Sequence, residues 1–289
     1  PTIGFINAII PNMDLSNEVV KQVVELAIKE DVKGGDINGE LISEENESSA
    51  EIITRTSGIF CGQPWMFEVA RQIDPSIKLN FIVDDGEAVQ EDQLLLFATG
   101  PSRGLLTSER TMLNFAQLLS GTATSANEYA SAVSHTKTKI LDTRKTVPGL
   151  REAQKYAVRI GGAENHRFGL FDAYLIKENH INAAGSIDQA VTRARKANPH
   201  LKLEVEVENM MQLREALAAG VDMVLLDNYA VEDLAAAVAF AKGKLQLEAS
   251  GGITLENVAR VAETGVDYIS IGAITKNIIP MDLSMRFIG

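Results

Sequence analysis

The sequence predicts an α/β protein in which a parallel βα array in the second half is joined to a separate α+β unit in the first. Six short apolar runs carry the first observation: KILDTR, DAYLIK, KLEVEVE, MVLLDN, LQLEAS and DYISIGA. Each ends on a polar, charged or glycine position, namely Arg144, Lys177, Glu206, Asp227, Ser250 and Gly272. The second is their spacing of 33, 29, 21, 23 and 22 residues, which fits a strand, a helix and two turns per step. The third is a repeat. AAGVDMVLLD (218–227) and ETGVDYISIG (263–272) share a Gly-Val-Asp turn into a buried strand, and their offset of 45 residues equals two βα units. Six such units suggest a barrel shorter than eight-fold or irregular, or a doubly wound sheet, with chemistry at the carboxyl ends of the strands.

In the first half, SNEVVKQVVELAIKE (16–30) carries apolar residues at helical spacing. Residues 50–60 and 77–100 alternate or run short between turn residues such as Asp84, Asp85, Gly86 and Gly100, as antiparallel strands do. FIVDDGEA (81–88) reads as a hairpin turn. It resembles the start of the motif that binds phosphoribosyl pyrophosphate in doubly wound phosphoribosyltransferases, but it lacks the threonine-and-glycine continuation. Residues 107–130 read as one long helix capped by Thr107 or Ser108, with Met112, Phe115, Leu118 and Leu119 on its apolar face. Further helices open at Ser186 with Gln189 as a capping box, at Asn209 with Gln212, and at Thr254; Gly220, Gly243 and Gly265 stand at stops.

The net charge of −12 over 289 residues argues against a generic nucleic-acid or anionic-membrane surface, so anions require a local basic cluster. Residues 144–180 supply it, with seven Lys or Arg against four acids, plus His166 and His180. Cys61 stands alone, which leaves no disulfide framework or cysteine metal site and fits a reducing compartment. No Lys or Arg precedes Lys21 and no apolar run approaches the roughly 18 residues that cross a bilayer. A cytoplasmic protein is expected.

Strict alternation in LEVEVE turns Glu204, Glu206 and Glu208 toward the interior or mouth of the array if Val205 and Val207 face outer helices. Glu206 and Asp227, at neighbouring strand ends, make a plausible pair for magnesium, which favours one or two carboxylates completed by substrate oxygens. The competing expectation is a structural charge network in which these acids pair with Lys177 and Arg144. Gly251 and Gly252, ahead of a helix capped by Thr254, and Gly272, after the following strand, offer backbone N–H groups to a phosphate. Arg144, Lys145, Arg167 and Lys177, with His166 adjacent, suit that side of the mouth to a polyanion.

LDTRKTVPGLR (141–151), GGAENHRFGLFDAYLIKENH (161–180), EVEVEN (204–209), LLDN (225–228), EASGGI (248–253) and ISIGAIT (269–275) resemble the quinolinate phosphoribosyltransferase family, the carboxylating nicotinate-nucleotide pyrophosphorylases. The likeness continues in EDVKGGDIN (30–38), SGIFCG (57–62) and TSERTMLNFAQLLSGTAT (107–124). It implies an N-terminal α+β open sandwich over residues 1–115 and an incomplete, TIM-like α/β barrel of about six to seven strands over 116–277, with a tail of about 278–289 packing back on the first domain. It implies conversion of quinolinate and phosphoribosyl pyrophosphate into nicotinate mononucleotide, pyrophosphate and CO2, with Mg2+ on the second substrate. Arg144, His166, Arg167 and Lys177 would hold the pyridine dicarboxylate, helped by Arg110 from the partner subunit of a homodimer. Lys145 would meet the phosphoribosyl or pyrophosphate group, Glu206 and Asp227 the ribose hydroxyls and metal, and Ser250, Gly251, Gly252 and Gly272 the phosphates. One departure concerns Thr275, Lys276 and Asn277, where some relatives carry a histidine; Lys276 still suits a phosphate.

Three alternatives compete. A paralogous phosphoribosyltransferase on another anionic heterocycle would lose part of the Arg110, Arg144, Arg167 and Lys177 set. A Schiff-base aldolase using Lys177 or Lys145 would want an apolar pocket around the lysine. A non-catalytic anion-binding protein would not need Glu206 and Asp227.

Overall fold

The computed structural model describes residues 17–288 and divides them into two compact units. The chain runs through α1 (Asn17–Asp31), β1 (Glu47–Thr54), β2 (Gly58–Ile59), α2 (Gln63–Ile73), β3 (Lys78–Phe81), β4 (Ala88–Val89), β5 (Leu94–Pro101) and α3 (Ser102–Ala132). It continues through β6 (Lys139–Leu141), α4 (Arg151–Ile160), β7 (Tyr174–Ile176), α5 (Glu178–Ala184), α6 (Ile187–Ala197), β8 (Leu203–Val207), α7 (Met210–Ala219) and β9 (Met223–Asp227). The last elements are α8 (Val231–Ala241), β10 (Gln246–Ser250), α9 (Val258–Ala262), β11 (Tyr268–Ser270), α10 (Ala273–Lys276) and β12 (Leu283–Ile288). Ser16, the first residue of the expected helix, and residues 1–16 of the expected first domain lie outside the described residues.

The first unit gathers residues 17–127, 146–162 and 274–288. Its four-stranded sheet has the order β12-β1-β5-β3, so the C-terminal strand pairs antiparallel with β1, Ile52 opposite Met285. The expected boundary at 115 falls inside α3, whereas the units part after Asn127. Residues 146–162 belong to the first unit because α4 buries Ala153 and Ala157 in its core and sets Tyr156 against Trp65, with ring centroids 5.4 Å apart. Two local expectations are corrected. Thr107 and Ser108 do not cap α3, which begins at Ser102; their hydroxyls donate to Asp36 and to the Leu105 carbonyl instead. Residues 81–88 form a turn but no hairpin, since β3 pairs with β5 and β4 with β2. Asp85 in that turn accepts from the backbone N–H groups of Gly62 and Gln63 at the start of α2, and from the Tyr156 hydroxyl.

The second unit, residues 128–145 and 163–273, holds a six-stranded parallel sheet in the order β6-β11-β10-β9-β8-β7. Its helices start and stop largely where side chains dictate. The Ser186 hydroxyl accepts from Gln189 N–H, the Asn209 side chain from Met211 and Gln212 N–H, and Gly220 ends α7 in the left-handed region. Thr254 does not cap α9, which starts only at Val258 after a turn in which Asn257 accepts from the Thr254 N–H. The sheet curves into an incomplete barrel, and one side chain proves the curvature. His166, on a segment hydrogen-bonded beside β6, reaches Glu204 on β8 and Glu248 on β10 together. In a flat sheet β6 and β8, four places apart in the strand order, would stand roughly 19 Å from one another, beyond the combined reach of the two side chains. Residues 163–173 lead from β6, to whose edge Glu164 bonds, into β7, and the Arg167 guanidinium donates to the Ala173 carbonyl at the end of that segment.

Candidate active site

At the carboxyl ends of the parallel strands lies a cavity of about 630 Å³. Nine of the expected residues line it: Arg144, Lys145, His166, Arg167, Lys177, Glu206, Asp227, Ser250 and Gly251. Arg144 and Lys145 follow β6 on an exposed loop that begins with the Lys145 N–H donating to Thr143 Oγ1 at 3.0 Å. Lys177 leaves β7 with an extended backbone, and its N–H donates to His180 Nδ1 in the first turn of α5. Its ammonium pairs with Glu206, as the charge-network expectation had it. Asp227 ends β9 and accepts from the Asn228 side chain at 2.9 Å.

Alternation along β8 acts as expected, with Glu204 buried, Glu206 half-buried and Glu208 exposed. Gly251 sits at φ +95° so close to Asn228 that a Cβ would stand 2.1 Å from its Oδ1. Gly272 lies against Lys145, where a Cβ would fall 2.8 Å from Cδ, and Gly252 faces open space; neither lines the cavity. Arg110 and Lys276 are exposed on the first unit, Arg110 beside a shallow depression walled by residues 31–39 and 106–107.

Behind the cationic wall is a cluster that sequence reasoning took up only in part. Asp142, fully buried after β6, accepts the His166 backbone N–H at 2.9 Å and the Asn165 side-chain amide at 2.6 Å. The ring of His166 points inward: Nδ1 accepts the Arg167 N–H at 2.7 Å, and Nε2 lies 2.9 Å from Glu204 and 3.3 Å from Glu248. Burial resists charging that ring, but Glu248 and Glu204 outweigh it and raise its affinity for a proton. Burial and repulsion from Glu248 raise the Glu204 carboxyl too. His166 and Glu204 therefore hold a proton between them more firmly than either group would alone. Because Nδ1 accepts, a ring hydrogen stands on Nε2, facing Glu204 and Glu248. Glu248 was legible only as a charge in the middle of the apolar run LQLEAS.

Burial, with the Arg144 guanidinium next, destabilises the charge of Arg167. Two guanidiniums that repel in a partly enclosed wall favour an anion between them. Lys145 and Lys177 line the same cavity, as do the carboxylates of Glu206 and Asp227. An α/β barrel with this wall and this acid pair at its strand ends is an enzyme site for anionic substrates.

Residues 36–120 match the N-terminal domain, and residues 122–286 the C-terminal domain, of quinolinate phosphoribosyl transferase. The chain is 40% identical over 267 residues to the probable carboxylating nicotinate-nucleotide pyrophosphorylase of Bacillus subtilis, covering 92% of each protein. It is 39% identical over 279 residues to the carboxylating nicotinate-nucleotide pyrophosphorylase of Mycobacterium leprae, covering 94% of this chain and 98% of that one. The solved nicotinate-nucleotide pyrophosphorylase of Francisella tularensis superposes with a TM-score of 0.93 at 47% identity, over 95% of this chain and 98% of that one. The chain belongs to the quinolinate phosphoribosyl transferase family.

Proposed function

We propose that the chain transfers a phosphoribosyl group from phosphoribosyl pyrophosphate to the ring nitrogen of quinolinate and releases one carboxylate as CO2, giving nicotinate mononucleotide and pyrophosphate in NAD biosynthesis. The observation that carries this reading is the single cavity in which Arg144, Arg167, Lys145 and Lys177 face Glu206 and Asp227. Quinolinate brings two carboxylates, and the paired guanidiniums gain most from a ligand of that charge. Arg144, Arg167 and Lys177 hold the dicarboxylate, and His166 closes the wall with both ring nitrogens turned onto protein partners.

The ring nitrogen is itself the nucleophile, so the protein has no proton to remove in this step and acts by positioning two anions that would otherwise repel. As the bond to pyrophosphate breaks, the leaving group gains charge that Lys145 offsets, while Ser250 and Gly251 at the cavity receive the phosphates, with Gly252 and Gly272 in the adjoining turns. Once ribosylated, the ring nitrogen is cationic. It accepts the electron pair left when the adjacent carboxylate departs, and a proton takes the vacated carbon.

The donor set fits magnesium: two carboxylates on neighbouring strand ends face a cavity wide enough for substrate oxygens to complete the shell. Glu206 and Asp227 hold the ion, which supplies charge neutralisation for the pyrophosphate. Arg110 completes the dicarboxylate site of the partner in a homodimer, a role supported by its exposure on the first unit. The enzyme works in the cytoplasm, a reading supported by its lone cysteine, which fits a reducing compartment.

The test supplies purified protein with magnesium, phosphoribosyl pyrophosphate and either quinolinate or nicotinate, and measures nicotinate mononucleotide and CO2. Product from quinolinate alone, lost in Arg167→Ala, is expected. Product from nicotinate only, or from neither, would overturn the reading.

A further inference from the structure

Glu248 is fully buried in the barrel, yet neither of its carboxylate oxygens makes an aligned hydrogen bond, and Glu204 Oε1 likewise lacks one. A carboxylate in that condition costs stability, and a well-packed apolar residue would cost less. Glu248 Oε2 lies 3.3 Å from His166 Nε2, on a ring that Glu204 Oε2 contacts at 2.9 Å. The other ring nitrogen receives the Arg167 backbone N–H at 2.7 Å, and the Arg167 guanidinium lines the cavity.

We propose that Glu248 is a positioning residue which, with Glu204, holds the His166 ring in its Nε2–H form, and that the ring in turn sets the backbone, and thereby the guanidinium, of Arg167 for the substrate carboxylate. The inference rests on the function proposed above and deepens its dicarboxylate site. The geometry has a direction. Two negative groups on one side of the imidazole keep the hydrogen on Nε2, which leaves Nδ1 as the lone-pair face that Arg167 requires. If Nδ1 carried the hydrogen, it would confront the Arg167 N–H donor to donor and push the residue off its place. Asp142 anchors the same loop from outside the ring through the His166 N–H, whereas Glu248 acts on the ring itself. In the function proposed above, phosphoribosyl pyrophosphate meets Lys145, Ser250 and the glycine turns rather than Arg167, so its KM is the comparison for the effect on quinolinate.

The experiment compares wild type, Glu248→Gln, His166→Ala and the double variant in steady-state kinetics, with side-chain nitrogen NMR of His166 as a second readout. In Glu248→Gln the KM for quinolinate rises on the order of tenfold or more, the scale on which a misplaced binding group is felt, while the KM for phosphoribosyl pyrophosphate is unchanged. The His166 resonances move away from those of the Nε2–H form. In the His166→Ala background the same substitution adds nothing further to the quinolinate KM, because the residues act in series. Additive effects, equal changes in both KM values, or unmoved His166 resonances would overturn the proposal. Should Glu248→Gln not fold, Glu248→Asp withdraws the carboxylate by one methylene and carries the same test. Wild type inactive on quinolinate would sink the proposed function alone, and the NMR comparison would still decide whether Glu248 sets the ring.

Discussion

Gly251 shows how closely single residues are specified at the cavity. Its φ of +95° and the 2.1 Å clash that any Cβ would make with Asn228 Oδ1 leave no room for a side chain. Gly251→Ala is expected to cost about 1–3 kcal/mol of stability, measured by denaturant unfolding, and to raise the KM for phosphoribosyl pyrophosphate more than that for quinolinate. Asp227 makes the complementary case. If it holds magnesium with Glu206, Asp227→Asn raises the magnesium concentration needed for half-maximal rate, and excess metal restores part of the activity. A rate that falls equally at every magnesium concentration would place Asp227 outside the metal shell. The roles of Arg144, Lys145, Arg167 and Lys177 as a basic set were legible because so many cations in an acidic chain need an anion to face. Glu248 was not, because an isolated charge in an apolar strand does not say which strand its side chain meets.

At the scale of elements, Asp85 ties the turn after β3 to the start of α2 and to Tyr156 on α4. Burial raises its pKa above the ordinary aspartate value, and the three donors lower it by less. The linkage sign follows. A carboxyl raised in the folded state contributes its stability below the unfolded pKa, near 4, and loses it as pH rises through the folded value. Asp85→Asn keeps an acceptor for Gly62 and Gln63 without the buried charge. It should match wild type near pH 3 and exceed it by on the order of 1 kcal/mol at pH 7, read from thermal unfolding at both pH values. Asp85→Ala leaves those donors unpaired and should cost about 2 kcal/mol. Sequence identified the caps at Ser186 and Asn209 because a hydroxyl or amide two or three residues ahead of an N–H is a local event. It missed the true start of α3, five residues before Thr107, because Ser102-Arg103-Gly104 carries no helical periodicity of its own and is held by what it packs on.

For the whole molecule, the proposed sharing of Arg110 between subunits is tested by complementation. Arg110→Ala and Arg167→Ala are each expected to be inactive as purified proteins. Mixed dimers made by co-refolding should regain up to about a quarter of wild-type activity, since half the dimers are mixed and each has one intact site. No recovery, with mixed dimers demonstrated by mass, would place Arg110 in its own chain's site or outside the reaction. Sequence alone determined the α/β class, the order of the six parallel strands' βα units along the chain and the residues that stand at their carboxyl ends, because burial periodicity and turn chemistry act over a few residues. It also carried the family likeness, through motifs spread over most of the chain. Tertiary structure alone decided that the six strands curve rather than lie flat, that Glu164 pairs with the edge of β6, and that residues 146–162 and the C-terminal strand belong to the first unit. It also brought His166, Glu204 and Glu248 to one point. These outcomes depend on contacts between residues dozens of positions apart, and the free energy that selects them is absent from any local window of sequence.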